Sequence, residues 1–106
     1  MKTIIKSLLL ILSFTFFIDE GFGQTSADYY ESAYAKQEIE DYKGAIADCN
    51  LAIGLETNDE LLSHLYYFRG TCKGLSGNKE GCCEDFVISS RLGYNYATEM
   101  LNQLCN

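Results

Sequence analysis

The sequence predicts an all-α protein built from short antiparallel helices, and three observations predict it. The first is spacing. Across Asp41–Leu55 the apolar residues Ala45, Ile46, Cys49, Ala52 and Ile53 recur as one face of a helix must. The second is the brevity of the breaks between such segments, two to six residues, which forces successive helices to run antiparallel. The third is an internal echo 37 residues apart: Lys43–Asp48 is matched by Glu80–Asp85, Tyr29-Tyr30 by Tyr66-Tyr67, Ala33 by Gly70 and Lys36 by Lys73. Such a fixed period is the mark of a repeated structural unit.

Taken in order, residues 1–24 read as a secretory signal. Lys2 and Lys6 precede the apolar run Ile4–Ile18, and Gly21-Phe22-Gly23 supplies small residues for a cut near Gln24. The run is shorter than the roughly 20 residues of a membrane-spanning helix. No membrane span is expected once it is removed; the competing reading is an uncleaved anchor. Export to the periplasm, the outer envelope or the medium is therefore expected.

Ala27–Glu38 forms the first helix of the remainder, with Tyr30, Ala33, Tyr34 and Gln37 on one stripe. Asp41 caps the second, Tyr42–Leu55, by accepting from orphan backbone N–H groups. After the polar break Glu56–Asp59, a third helix carries Leu61, Leu62, Leu65, Tyr66, Phe68, Arg69, Cys72 and Leu75 to the turn Ser76-Gly77-Asn78. The fourth runs from Lys79 to about Leu92 with Cys82, Cys83, Phe86, Val87 and Ser90 inward, and Gly93 stops it. Tyr94–Leu104 makes the fifth, on Tyr96, Ala97, Met100, Leu101 and Leu104.

These units resemble the tetratricopeptide repeat (TPR) family, whose period is about 34 residues. Tyr29, Ala33, Ala45 and Ala52 stand at its signature positions in the first unit, and Tyr66, Gly70, Cys82 and Phe86 in the second. The missing terminal prolines, and cysteine at 49 and 82, depart from the family pattern. The resemblance implies repeats over about 26–59 and 63–93 and a capping helix over 94–105, as in short exported bacterial TPR proteins. Neither unit buries its stripe alone, so the two stack as a short solenoid. The resemblance further implies a non-enzymatic interaction module whose concave face binds a protein or peptide. The lining residues would be Tyr30, Tyr34, Gln37 and Glu38 from the first unit, and His64, Tyr67, Thr71 and Leu75 from the second. The family's Lys/Arg/Asn clamp for a C-terminal carboxylate is absent, since Tyr30, Glu31, Tyr34, Tyr67, Phe68 and Thr71 occupy those places. An aromatic face with scattered acids suits an extended peptide bearing apolar and basic side chains.

The formal charge of −7 argues against nucleic acid and anionic membrane as partners. No active site, metal site or cofactor is expected. His64 is the sole histidine, there is no C-x-x-C, and no glycine-rich loop has phosphate-binding spacing. The acidic pairs Glu40-Asp41 and Glu84-Asp85 read as caps and solubilising charge. The five cysteines fit an exported disulfide framework, and their odd number leaves at least one over. Hairpin geometry sets Cys83 or Cys82 opposite Cys105 and Cys49 opposite Cys72, with Cys72–Cys82 competing. Buried free thiols are the alternative. Two rival functions stand beside the interaction module: a small thiol-dependent redox protein using Cys82/Cys83, and a structural subunit of a homo-oligomer.

Overall fold

A computed structural model describes residues 24–106, and the expected signal over 1–24 lies outside the described residues but for Gln24. The described chain is five helices with no strand: α1 (Ser26–Glu38), α2 (Tyr42–Leu55), α3 (Asp59–Leu75), α4 (Lys79–Arg91) and α5 (Asn95–Leu104). Each helix packs on the next in the chain.

Side chains written into the sequence start four of them. Thr25 accepts from the Asp28 N–H at 3.2 Å while the Asp28 carboxylate accepts from the Thr25 N–H at 3.0 Å, a reciprocal capping box. Asp41 caps α2 through the Gly44 N–H (3.0 Å), Asn58 caps α3 through Leu61 (3.0 Å), and Asn78 caps α4 through Gly81 (2.9 Å). Tyr94 stands at the cap of α5 and gives it no side-chain hydrogen bond. Three helices end in the same paired turn, closed by Asp41 N–H to Lys36 O, Asn78 N–H to Lys73 O, and Tyr94 N–H to Ser89 O at 2.8–3.1 Å. The residue before each closing N–H has positive φ: Glu40 (63°), Gly77 (96°) and Gly93 (104°). Glycine takes that conformation without a steric cost; Glu40 does not.

The core is lined by small residues because the helices approach closely. Ala33, Ala45, Cys49, Phe68 and Cys72 form one cluster with Ile46 against it. A Cβ on Gly70 would lie 2.9 Å from the Asp85 Cβ and 3.0 Å from the Phe86 ring, so only glycine lets α3 meet α4 there. Phe86 is 2% exposed; full burial of such a side chain contributes about 1.5–3 kcal/mol.

Two expectations about faces need correction. Leu61, expected on the buried stripe of its helix, is more than half exposed, because it lies at the end of a 17-residue α3 that outruns its 14- and 13-residue neighbours; Leu75, expected on the concave face, is exposed at the other end. Asp85, expected on an outward face, is 2% exposed, because the cations that neutralise it come from α3.

Candidate functional site

The aromatic residues of α1 and α3 meet along one face. The Phe68 ring lies 5.3 Å from that of Tyr30 and 6.1 Å from that of Tyr34, so α1 leans on α3 through these rings. Further along, Tyr67 stacks on Phe86 at 4.9 Å and meets Tyr94 and Tyr96 of the α5 segment edge-on at 5.2 and 5.5 Å. His64 lies 4.4 Å from Tyr94. Such pairs contribute roughly 0.5–1.5 kcal/mol beyond their buried area. Burial raises the hydroxyl pKa of both Tyr30 and Tyr67; neighbouring groups add to it at Tyr30, while at Tyr67 Tyr96 adds to it and Thr71 opposes it.

Two grooves flank α3. The first, about 260 Å³, is lined by Ala27, Tyr30, Glu56, Leu61, His64 and Leu65 with Ser26 at its edge. The second, about 520 Å³, runs between α3, α4 and α5 past Tyr67, Thr71, Leu75, Phe86, Met100 and Leu104. Of the eight residues expected to contact a partner, the first groove holds Tyr30 and His64, and the second holds Tyr67, Thr71 and Leu75. Tyr34 lies beside the first on its Phe68 contact and is half exposed. Gln37 is half-buried and Glu38 exposed toward the end of α1, and neither lines a groove. Tyr67 and Thr71 are half-buried, and the Thr71 hydroxyl donates to the Tyr67 carbonyl of its own helix at 3.0 Å. Tyr30, Tyr34, Leu61, Leu75 and Leu104 are the large apolar side chains exposed in or beside the grooves.

Leu61 and Met100 face these grooves without having been expected to, and so does Glu56. Glu56 sits in the link between α2 and α3, where it read as part of a polar break. Its Oε2 accepts from the Ser26 hydroxyl, and its Oε1 accepts from the Asn58 and Thr57 N–H groups at 3.1 and 3.2 Å. The Ser26 bond, and after it the backbone N–H of Asn58, holds the carboxyl below the usual glutamate range.

Among the described residues the cysteines divide. Cys83 and Cys105 are joined in a disulfide with Cα atoms 5.8 Å apart, which ties the end of α5 to α4 and walls the second groove. Cys49 and Cys72 are not bonded to each other, nor Cys72 to Cys82; all three are buried free thiols. Burial pushes the Cys49 thiol up to about 12, with Cys72 beside it adding to the shift, and pushes Cys72 up to about 11. The Cys82 thiol is also raised, by burial first and the nearby Asp85 second. Thiols of this kind behave as small apolar side chains rather than nucleophiles.

Two buried aspartates complete the interior. Asp48 accepts from the Ser32 hydroxyl at 2.6 Å and pairs with Lys36 at 2.9 Å. Asp85 takes Arg69 in a fork, Nε to Oδ2 at 2.8 Å and Nη2 to Oδ1 at 2.7 Å, and Lys73 at 3.2 Å. Arg69 also donates from Nη1 to Asn50 at 2.8 Å, so one side chain links α2, α3 and α4. Both aspartates are held by side chains of the preceding helix.

Among the described residues no three His, Cys, Asp or Glu side chains cluster as metal ligands do, and no helix is long and apolar enough to cross a membrane. No family model, no curated protein and no solved structure matches the chain.

Proposed function

We propose that this chain is an exported, non-enzymatic TPR-like module that binds an extended peptide or protein segment along the face shared by α1 and α3. The recurrence of contacts supports the TPR-like reading. Lys36–Asp48 and Lys73–Asp85, the caps Asp41–Gly44 and Asn78–Gly81, and the turns at Glu40 and Gly77 all repeat 37 residues apart. On this reading α1–α2 and α3–α4 are two stacked hairpins and α5 covers the open end of the second.

The observation that carries the binding function is the pair of grooves on either side of α3. They bring together five of the eight residues the sequence nominated and offer the exposed apolar side chains Leu61 and Leu75 at their mouths. Exposed aromatic and aliphatic groups beside concave apolar grooves are the usual anchors of a protein interface. The burial and raised pKa values of Cys49, Cys72 and Cys82 weigh against a thiol-dependent redox protein.

The test is Leu61→Ala/Leu75→Ala, chosen because both side chains line the grooves, are more than half exposed and stand outside the core cluster. The double variant is expected to keep the helical spectrum and melting point of the parent. It is expected to lose at least tenfold in affinity for extended peptides carrying apolar and basic residues. Unchanged affinity in the folded variant rejects this face as the binding site.

A further inference from the structure

The two ends of the proposed binding face differ in charge, and the first groove is built for one kind of side chain. The segments that enclose it, residues 24–35 and 44–68, contain Asp28, Glu31, Asp48, Glu56, Asp59 and Glu60 and not one Lys or Arg. Among the described residues, the buried Asp48 is the one of these acids that pairs with a cation, Lys36. The walls are apolar, made by Ala27, Tyr30, Leu61 and Leu65, and the charged group among the lining residues is Glu56. At about 260 Å³ the groove falls below the roughly 300–1,000 Å³ typical of small-molecule sites and suits a single long side chain.

We propose that this groove is the subsite for a lysine or arginine side chain of the bound peptide. The aliphatic stem lies along Leu61, Leu65 and the Tyr30 ring, and the cationic head meets the Glu56 carboxylate. The inference rests on the peptide-binding reading above and specifies one contact of it.

The chemistry is matched at both ends of such a side chain. Lysine and arginine bury their methylene stems on apolar surface while keeping the charge at a polar site. Tyr30 presents an aromatic ring, which attracts a nearby cation, and the half-buried Glu56 carboxylate supplies a charge-assisted bond. Glu56 is fixed for this by three hydrogen bonds, from the Ser26 hydroxyl and the backbone N–H groups of Thr57 and Asn58. A carboxylate offers about four acceptor positions, so one is left for a ligand. The Ser26 bond, which lowers the carboxyl pKa most, keeps it ionised. A glutamate or aspartate side chain of the peptide would instead meet like charge. The groove therefore sets the register of the peptide as well as adding affinity.

The probe is an array of N-acetylated, C-amidated nine-residue peptides of alternating Leu and Ser, with Lys, norleucine or Glu placed at each position in turn. Binding to the full chain is read by fluorescence anisotropy at low salt. At one position Lys is expected to bind about tenfold more tightly than norleucine, which has the stem without the charge, and Glu more weakly than either. Glu56→Gln retains an oxygen to accept the Thr57 and Asn58 backbone bonds and an amide that can donate to the Ser26 hydroxyl, and is expected to bring the lysine and norleucine peptides to equal affinity. Leu61→Lys, at a half-exposed position that tolerates a polar side chain, places a cation of the chain's own at the groove and is expected to do the same. If the wild type binds the array but lysine and norleucine peptides bind alike, or if Glu56→Gln leaves the lysine preference intact, the subsite assignment is wrong while the binding face stands. If no peptide of the array binds, both fall.

Discussion

Asp85 is the residue on which the interior most depends. It is almost wholly buried, and a buried carboxylate is tolerable only because Arg69 and Lys73 surround it with charge-assisted hydrogen bonds. A buried ion pair adds little over a well-packed apolar pair, but removing one partner strands the other. Asp85→Ala is therefore expected to lower unfolding stability by about 3–5 kcal/mol, read by urea denaturation. Arg69→Ala made on that background is expected to cost much less than it does alone, because no buried carboxylate remains to be stranded. Additive losses would mean that the fork has no energetic role. The sequence concealed this role for a physical reason. Asp85 follows Glu84 in the middle of α4, and such an acidic pair on a helix is usually solvated. Its partners lie 12 and 16 residues earlier on another helix, so no local spacing connects them. Glu56 was hidden in the same way, since its groove exists only after α1 and α3 pack.

Among the elements, α5 is the one held least by its own sequence. It has no side-chain cap, and Ala97 is its one buried residue. It is fastened by the rings of Tyr94 and Tyr96 on Tyr67, by the hydroxyl pair Ser90–Thr98, and by the Cys83–Cys105 bond. The bond closes a loop with a sequence separation of 22, for which the chain-entropy account gives about 3 kcal/mol. Cys105→Ser is expected to lower stability by about that amount. Backbone amides of α5 are expected to exchange with solvent much faster than those of α3 and α4. Equal protection of α5 in parent and variant would show that the noncovalent contacts alone hold it. The helices themselves were legible, because their caps are local: Asp41, Asn58 and Asn78 stand where the spacing turns helical, and α2 has the bounds expected from its stripe. Hairpin counting around Gly93 also placed Cys105 opposite Cys82 or Cys83. It left the choice between those two open, since adjacent helical residues point about 100° apart. Leu61 at the start of α3 is exposed against expectation because a stripe of leucines says nothing about where the neighbouring helices stop.

At the scale of the whole molecule, a core built from thiols and small side chains gives stability a distinct alkaline limit. Cys49 and Cys72 both belong to the central cluster where α1, α2 and α3 meet. Burial raises their thiols from the ordinary 9.0 to about 12 and about 11, with the neighbouring Cys72 a second cause for Cys49. The folded state therefore keeps these protons at a pH where the unfolded chain has released them. By linkage, stability is then full below about pH 9 and falls as the pH rises toward 11–12. Each such thiol steepens the fall by up to about 1.4 kcal/mol per pH unit. Tyr30 and Tyr67, whose hydroxyls are also raised by burial, add to the loss at the upper end of that window. Urea denaturation from pH 7 to 11 is expected to give a flat plateau up to about pH 8.5 and a steep decline beyond it. Cys49→Ala removes one of the two thiols and is expected to start from a lower plateau, because it leaves a small cavity, yet to decline less steeply. A thiol reagent at pH 8 is expected to find none of the three free cysteines in the native chain and all three in urea. Parallel declines in parent and variant, or fast labelling of Cys49 in the native state, would show that the central cluster is open to water.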